Sequence, residues 1–82
     1  MRLRYAKAAI RDLEKLARSV RERIQEKVEW YLLQEDPLAF AEPLSGSGGL
    51  FRYRVGEYRV IVQPDGTIIT VLRIRKRSEA YR

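Results

Sequence analysis

Three arginines in the stretch FRYRVGEYRV are the residues of this chain that most clearly suggest chemistry. Arg52, Arg54 and Arg59 alternate with apolar residues, which is the pattern of β-strands with one charged face. Like charges on neighbouring strands repel each other, whereas a phosphate held between two guanidinium groups would make the same arrangement favourable. The pattern therefore favours binding of phosphate or nucleic acid over a plain solvated sheet surface.

The charge of the whole chain is distributed in the same uneven way. Residues 50–82 contain eight Lys and Arg against three Asp and Glu, whereas residues 1–49 contain nine against eight. An excess confined to one part of a chain indicates a basic face for a polyanion rather than general solubility. The predicted strands contain almost no Asp or Glu, so we expect their arginines to lack carboxylates to pair with.

The absence of cysteine and histidine restricts the possible chemistry. Zinc, copper and non-haem iron sites normally need imidazole or thiolate ligands, so we expect no metal site and no cofactor. The commonest general base near neutral pH is also missing, which leaves Arg, Lys, Tyr, Asp and Glu for any catalysis. No apolar run reaches the roughly 20 residues of a membrane span, so we expect a soluble cytoplasmic protein without membrane contact.

The elements that must position the arginines follow from the hydrophobic period. Residues 2–5 alternate and predict a short edge strand. Two apolar stripes at helical spacing, in residues 6–17 and 20–32, predict an antiparallel helical hairpin. Ser19 and Glu22 have the spacing of a capping box that would open the second helix.

After an irregular connector over residues 37–49, the period changes to two. A two-residue turn at Gly56-Glu57 would place Arg54 opposite Arg59. The length of the next turn decides which side chains of the last strand face the core. A two-residue turn would bury Arg73 in the core, at a high cost in free energy, whereas a three-residue turn over residues 64–66 would keep it outside. The three-residue turn predicts Ile68, Leu72 and Ile74 for the core face, and Arg73 and Arg75 for the face of Arg54 and Arg59.

These elements predict a single α+β domain over residues 1–82 in the order β-α-α-β-β-β. The helical hairpin would pack on one face of a small, mainly antiparallel sheet, and the opposite face, with Arg59 on it, would be basic and open to solvent. Tyr81 has two interpretations: its ring folds back onto the sheet, or it stacks a nucleobase beside the basic cluster. The residues alone leave both open.

Three segments of the chain resemble the RelE/ParE superfamily of toxins from bacterial and archaeal toxin–antitoxin modules. They are AIRDLEKL, EPLSGSGGLFRYRVGEYRVIV and VLRIRKRSEAYR, so the resemblance covers nearly the whole chain. The predicted element order is also that of the family. The resemblance implies a RelE-like mRNA interferase, a metal-independent endoribonuclease that cleaves mRNA in the ribosomal A site. In such an enzyme the ribose 2′-OH attacks its own phosphate.

The resemblance also implies the site and the partners. The implied catalytic residues are Arg52, Arg54, Arg59, Arg77 and Tyr81. The cations that we assign beside them to RNA binding are Arg73, Arg75, Lys76 and Arg82. The implied partners are an acidic RelB-like antitoxin, in a toxin–antitoxin hetero-oligomer, and the ribosome with its mRNA.

Two departures from the RelE pattern leave alternatives open. Well-studied relatives carry lysines where Arg52 and Arg54 stand, and arginine stabilises charge well but gives up protons poorly. The spacing from Arg77 to Tyr81 is short, so Arg75 is the alternative equivalent of Arg77. The main competing interpretation is a ParE-like inhibitor of DNA gyrase without nuclease activity, and the third is a plain RNA-binding domain.

Overall fold

Helical stripes in the first half of the chain and alternating residues in the second produce a sheet with helices on one face. The computed structural model describes residues 1–46 and 48–80, with side chains through residue 78. The strands are β1 (Arg2–Tyr5), β2 (Glu42–Pro43), β3 (Phe51–Val55), β4 (Tyr58–Asp65) and β5 (Ile68–Lys76). The helices are α1 (Lys7–Glu14), α2 (Arg18–Leu32) and α3 (Arg77–Ala80), with a 3-10 helix at Pro37–Phe40.

The predicted α+β architecture is confirmed. The sheet order is β1-β5-β4-β3-β2, with β1 parallel to β5 and all other pairs antiparallel. The core lies between this sheet and the two longer helices. It comprises Ala9, Leu13, Ile24, Val28, Tyr31, Tyr53, Val55, Val60, Val62, Ile69, Val71 and Ile74. Within the described ranges, none of the helices combines the length and the apolar character needed to cross a membrane.

The structure adds elements that the sequence pattern did not indicate. The connector predicted to be irregular contains the 3-10 helix, whose first turn is capped because the Asp36 carboxylate accepts a hydrogen bond from the Leu38 N–H at 3.2 Å. The same connector contains β2, which pairs with β3. The predicted capping box is wrong. Helix α2 begins at Arg18, none of the described side chains caps it, and Glu22 instead forms an ion pair with Arg18 at 2.9 Å.

In the hairpin between β4 and β5, Arg73 and Arg75 lie on the predicted face of the sheet, but the turn and the register differ from the prediction. Asp65 pairs with Ile68, so the turn contains two residues and the predicted three-residue turn is wrong. The register then shifts by one residue. Val62 pairs with Val71 and its neighbour Ile61 pairs with Arg73, which leaves Leu72 on β5 without a partner on β4. This β-bulge reverses the alternation and keeps the guanidinium out of the core, where burial without a partner would be costly.

The core side chains of β5 change accordingly. Ile69 and Val71 are buried in place of the predicted Ile68 and Leu72, which are only partly buried. Ile74 is buried as predicted. Leu72 is the bulge residue, and beyond it the alternation of apolar and basic residues is the expected one.

The Asp12 side chain hydrogen-bonds to the part of the β5 edge that β1 does not pair with. The parallel pairing of β1 with β5 ends at Tyr5 and Val71. Beyond it, the Asp12 carboxylate on α1 accepts hydrogen bonds from the Ile74 N–H at 2.9 Å and from Arg73 Nε and Nη2 at 2.9 and 3.2 Å. Burial alone would raise the pKa of Asp12, but these hydrogen bonds hold the pKa below its usual value. The ionised carboxylate therefore closes a sheet edge.

An Asp12→Ala variant should unfold more easily, because it leaves the Ile74 N–H and Arg73 without their acceptor. We expect a loss of about 1–3 kcal/mol in the free energy of unfolding, measured by urea denaturation at pH 7. A carboxylate with a lowered folded-state pKa stabilises the protein above its unfolded pKa, and this contribution is lost as pH falls through the folded pKa. The difference between wild type and variant should therefore shrink below about pH 4. Glu14→Ala, which removes an exposed carboxylate from the same helix, is the control. Equal midpoints for the two variants would contradict the role of Asp12.

Candidate functional site

A row of three arginines crosses the sheet on the face turned away from the core. Arg54 on β3 lies opposite Arg59 on β4, as predicted, and Arg59 lies opposite Arg75 on β5. Adjacent strands are about 5 Å apart, so the row spans about 10 Å, which is close enough for its members to share an anion. A second row on this face contains Arg52, Ile61 and Arg73. The term basic face is used below for Arg52, Arg54, Arg59, Arg73 and Arg75.

Arg59, at the centre of the row, is buried. Only 4% of it is exposed, so the prediction that it lies on a solvent-facing surface is wrong. It occupies the middle of three strands, and its side chain turns along its own strand to the β3–β4 turn. There Nη1 donates to the carbonyl oxygens of Gly56 and Tyr58, at 3.2 and 3.1 Å. Its Nε has no hydrogen-bond partner within the described part of the chain. Among the described residues, Arg59 is therefore a fixed positive charge whose hydrogen-bond partners are backbone carbonyl groups.

Glu42 on β2 places a carboxylate beside Arg54, at the β3 end of the row. Glu42 lies opposite Arg52 in the register, and its carboxylate spans the guanidinium fork of Arg54. One carboxylate oxygen accepts from Arg54 Nε, and the other accepts from Arg54 Nη2 at 3.2 Å and lies 3.6 Å from Arg52 Nη2. The hydrogen bond from Arg54 lowers the pKa of Glu42, which is therefore ionised at neutral pH.

Arg73 is also partnered. Its side chain bonds to Asp12 on α1, and the hydrogen bond raises the pKa of its guanidinium. The expectation that the sheet arginines lack carboxylates to pair with is thus wrong for part of the basic face. The carboxylates come from α1 and β2, outside the three strands that form the basic face. Arg75, by contrast, forms no ion pair with any described carboxylate, although its charge helps to lower the pKa of Asp12. Within the basic face, Arg59 and Arg75 are thus the arginines without a directly paired carboxylate among the described residues.

Two cations where β5 ends and α3 begins, Lys76 and Arg77, lie beside the β3–β4 turn. Arg77 is the first residue of α3 and is exposed, and its backbone N–H donates to the Glu57 carbonyl at 2.6 Å. It lines a cleft of about 470 Å³ together with both turn residues and Lys76. Lys76 lies opposite Tyr58, so its alternation differs from that of Arg75, and the structure does not bring Lys76 into the basic face. The predicted site residues Tyr81 and Arg82 lie outside the described residues.

Three tyrosines near the sheet have hydroxyl groups with a raised pKa. Tyr31 and Tyr53 donate structural hydrogen bonds, whereas the Tyr5 hydroxyl makes none within the described residues. Burial raises the pKa of Tyr5 and Tyr31, and burial together with the neighbouring Tyr31 and Asp36 raises the pKa of Tyr53 to about 12. Tyr53 donates to the Pro37 carbonyl at 2.7 Å, and Tyr31 donates to the Arg54 carbonyl at 3.3 Å. Taken together, the arginines of the basic face can bind phosphate groups and stabilise their negative charge, and the Glu42 carboxylate lies beside them.

Comparisons with known proteins fit this architecture. A family model described as the ParE toxin of the type II toxin–antitoxin system parDE matches residues 3–81. The solved toxin–antitoxin complex RelBE2 from Mycobacterium tuberculosis is 30% identical, with a TM-score of 0.79 over 94% of this chain and 91% of that chain. An archaeal RelE–RelB complex from Pyrococcus horikoshii OT3 is 27% identical, with a TM-score of 0.72 and 93% of each chain covered.

A third solved structure carries information on the fold alone. The chromosomal ParDE system from P. aeruginosa is 21% identical, with a TM-score of 0.75 over 93% of this chain and 95% of that chain. No curated protein matches the sequence. Complexes described as RelE-type and ParE-type thus share this fold.

Proposed function

Because the chain belongs to the RelE/ParE superfamily and is a toxin of a type II toxin–antitoxin system, we propose that it is a ribosome-dependent endoribonuclease of the RelE type. The observation that carries the proposal is the row of Arg54, Arg59 and Arg75 across three strands. Attack of a ribose 2′-OH on its own phosphate builds negative charge on the phosphorane, and fixed cations stabilise such charge without a metal.

The burial of Arg59 supports this mechanism. A buried charge interacts more strongly with an anion than an exposed one, and Arg59 is already held in place by two carbonyl groups. Exposed cations at both ends of the site, Arg54 and Arg77, would hold the phosphates that flank the scissile bond. Arg75 completes the row beside Arg59.

We also propose the ribosome and an acidic RelB-like antitoxin as partners, which places the protein in the cytoplasm. The ribosome would orient the 2′-OH for attack, because the basic face supplies charge stabilisation rather than a tuned base. The antitoxin would cover the basic face in a toxin–antitoxin hetero-oligomer. The solved complexes of RelE with RelB are the support for this partner.

A ParE-like inhibitor of DNA gyrase is the second candidate. The matching family model describes a ParE toxin, and three of the five arginines on the basic face already face a carboxylate. Both observations are compatible with a basic face that has no catalytic role.

Two parallel assays separate the candidates. Purified protein added to translating ribosomes should produce discrete stops in primer extension on the translated message, while naked RNA should stay nearly intact. DNA gyrase supercoiling should be unaffected by the same preparation. Inhibited supercoiling without primer-extension stops would instead identify a ParE-like toxin. Binding to RNA with neither effect would favour a plain RNA-binding domain.

A further inference from the structure

Glu42 is placed on the basic face by a strand of only two residues. Pairing of Glu42 with Arg52 and of Pro43 with Phe51 fixes its carboxylate over β3, next to Arg54. The pair is exposed, with 42% of the Glu42 side chain and 56% of the Arg54 side chain open to solvent. Exposed ion pairs contribute little to folding stability, so stability does not explain this placement.

The geometry of the pair is that of a bound anion. Two oxygens of one acidic group lie across Nε and Nη2 of one guanidinium, with a second guanidinium close to one of the oxygens. Phosphate oxygens bind arginine through the same two-point contact. Glu42 therefore stands where a backbone phosphate would bind on Arg54.

We propose that Glu42 is a built-in competitor for phosphate: it occupies the fork of Arg54 in the free protein, and an incoming RNA phosphate must displace it. The proposal rests on the proposed function, since it assumes that the basic face binds RNA phosphates. Displacement is inexpensive because the pair is exposed, yet every polyanion has to achieve it. Glu42 thus weakens binding to RNA that offers charge alone, and RNA positioned by further contacts is favoured over free RNA.

Removal of this charge gives a direct test. Glu42→Gln keeps the size of the side chain and removes the competing anion. Glu35→Gln removes one charge from an exposed position outside the basic face and is the control for net charge. Binding is measured by fluorescence anisotropy with a single-stranded 2′-O-methyl RNA oligonucleotide, which lacks the attacking hydroxyl and cannot be cleaved.

We expect Glu42→Gln to bind this oligonucleotide about two- to fivefold more tightly than Glu35→Gln. The salt dependence of log K should become steeper by about 0.7, the value for one additional phosphate contact on a single strand. In an Arg54→Ala background the gain from Glu42→Gln should disappear, because the fork for which the two anions compete is gone.

Three results would overturn the proposal, and they differ from one another. Equal affinities for Glu42→Gln and Glu35→Gln would show that only net charge matters, and would leave the proposed function intact. Unchanged RNA affinity with loss of ribosomal cleavage in Glu42→Gln would make Glu42 a proton acceptor instead of a competitor. No binding of the oligonucleotide by wild type or either variant would refute the phosphate role of the basic face together with the competitor.

Discussion

An Arg77→Ala variant is expected to cleave mRNA on programmed ribosomes about 10²–10³-fold more slowly than wild type in single-turnover experiments, the effect of losing one donor of transition-state charge stabilisation. Arg77 is exposed at the start of α3, beside the β3–β4 turn that also holds Arg59. Its side chain can therefore be removed without opening the core. Arg11→Ala, an exposed arginine on α1, is the matched control and should cleave normally.

The same experiment extends to the row of arginines. Arg54→Ala should reduce cleavage without unfolding the protein, because Arg54 is exposed. Arg59→Ala is a less clean test, since the side chain is buried and bonded to the turn. Full cleavage by a folded Arg54→Ala, Arg77→Ala double variant would move the active site away from this part of the molecule.

Tyr53→Ala is expected to have the largest effect on stability. Tyr53 is fully buried, its ring stacks on Tyr31 with centroids 4.4 Å apart, and its hydroxyl donates to the Pro37 carbonyl. Truncation of a buried aromatic side chain costs about 3–5 kcal/mol, which is a large part of the roughly 5–15 kcal/mol that stabilises a typical domain. We expect a strongly lowered midpoint in guanidinium denaturation followed by circular dichroism.

Tyr53→Phe separates the ring from its hydroxyl. It keeps the stacking on Tyr31 and leaves the Pro37 carbonyl without its donor, so it should cost about 1–3 kcal/mol. Equal losses for the Phe and Ala variants would indicate that the hydroxyl, and not the ring, connects the sheet to the connector.

Local features of the fold were predictable from the sequence. The hydrophobic stripes of α1 and α2 are long enough to show the helical period. The turn at Gly56-Glu57 is short enough to determine the register of β3 and β4, so the position of Arg54 opposite Arg59 could be predicted. The basic face follows from that register and from the alternation of β5 after its bulge.

Non-local features were not predictable. A strand of two residues has no period, so β2 carried no signal, and with it the contact of Glu42 with Arg54 was missed. Asp12 looks like any polar residue of an amphipathic helix, and its role depends on where β1 ends. The burial of Arg59 depends on the middle position of β4 in the sheet, which alternation along one strand does not reveal.

The bulge at Leu72 has a consequence for how the length of this chain can vary. Val71 and Arg73 pair with adjacent residues of β4, so deletion of Leu72 would leave every other pairing in the hairpin unchanged. The strand can thus become one residue shorter at this position without moving any side chain to the other face. In an alignment with relatives that lack the bulge, a single gap belongs at Leu72. A gap placed in the Gly66-Thr67 turn would assign the neighbouring side chains to the wrong faces.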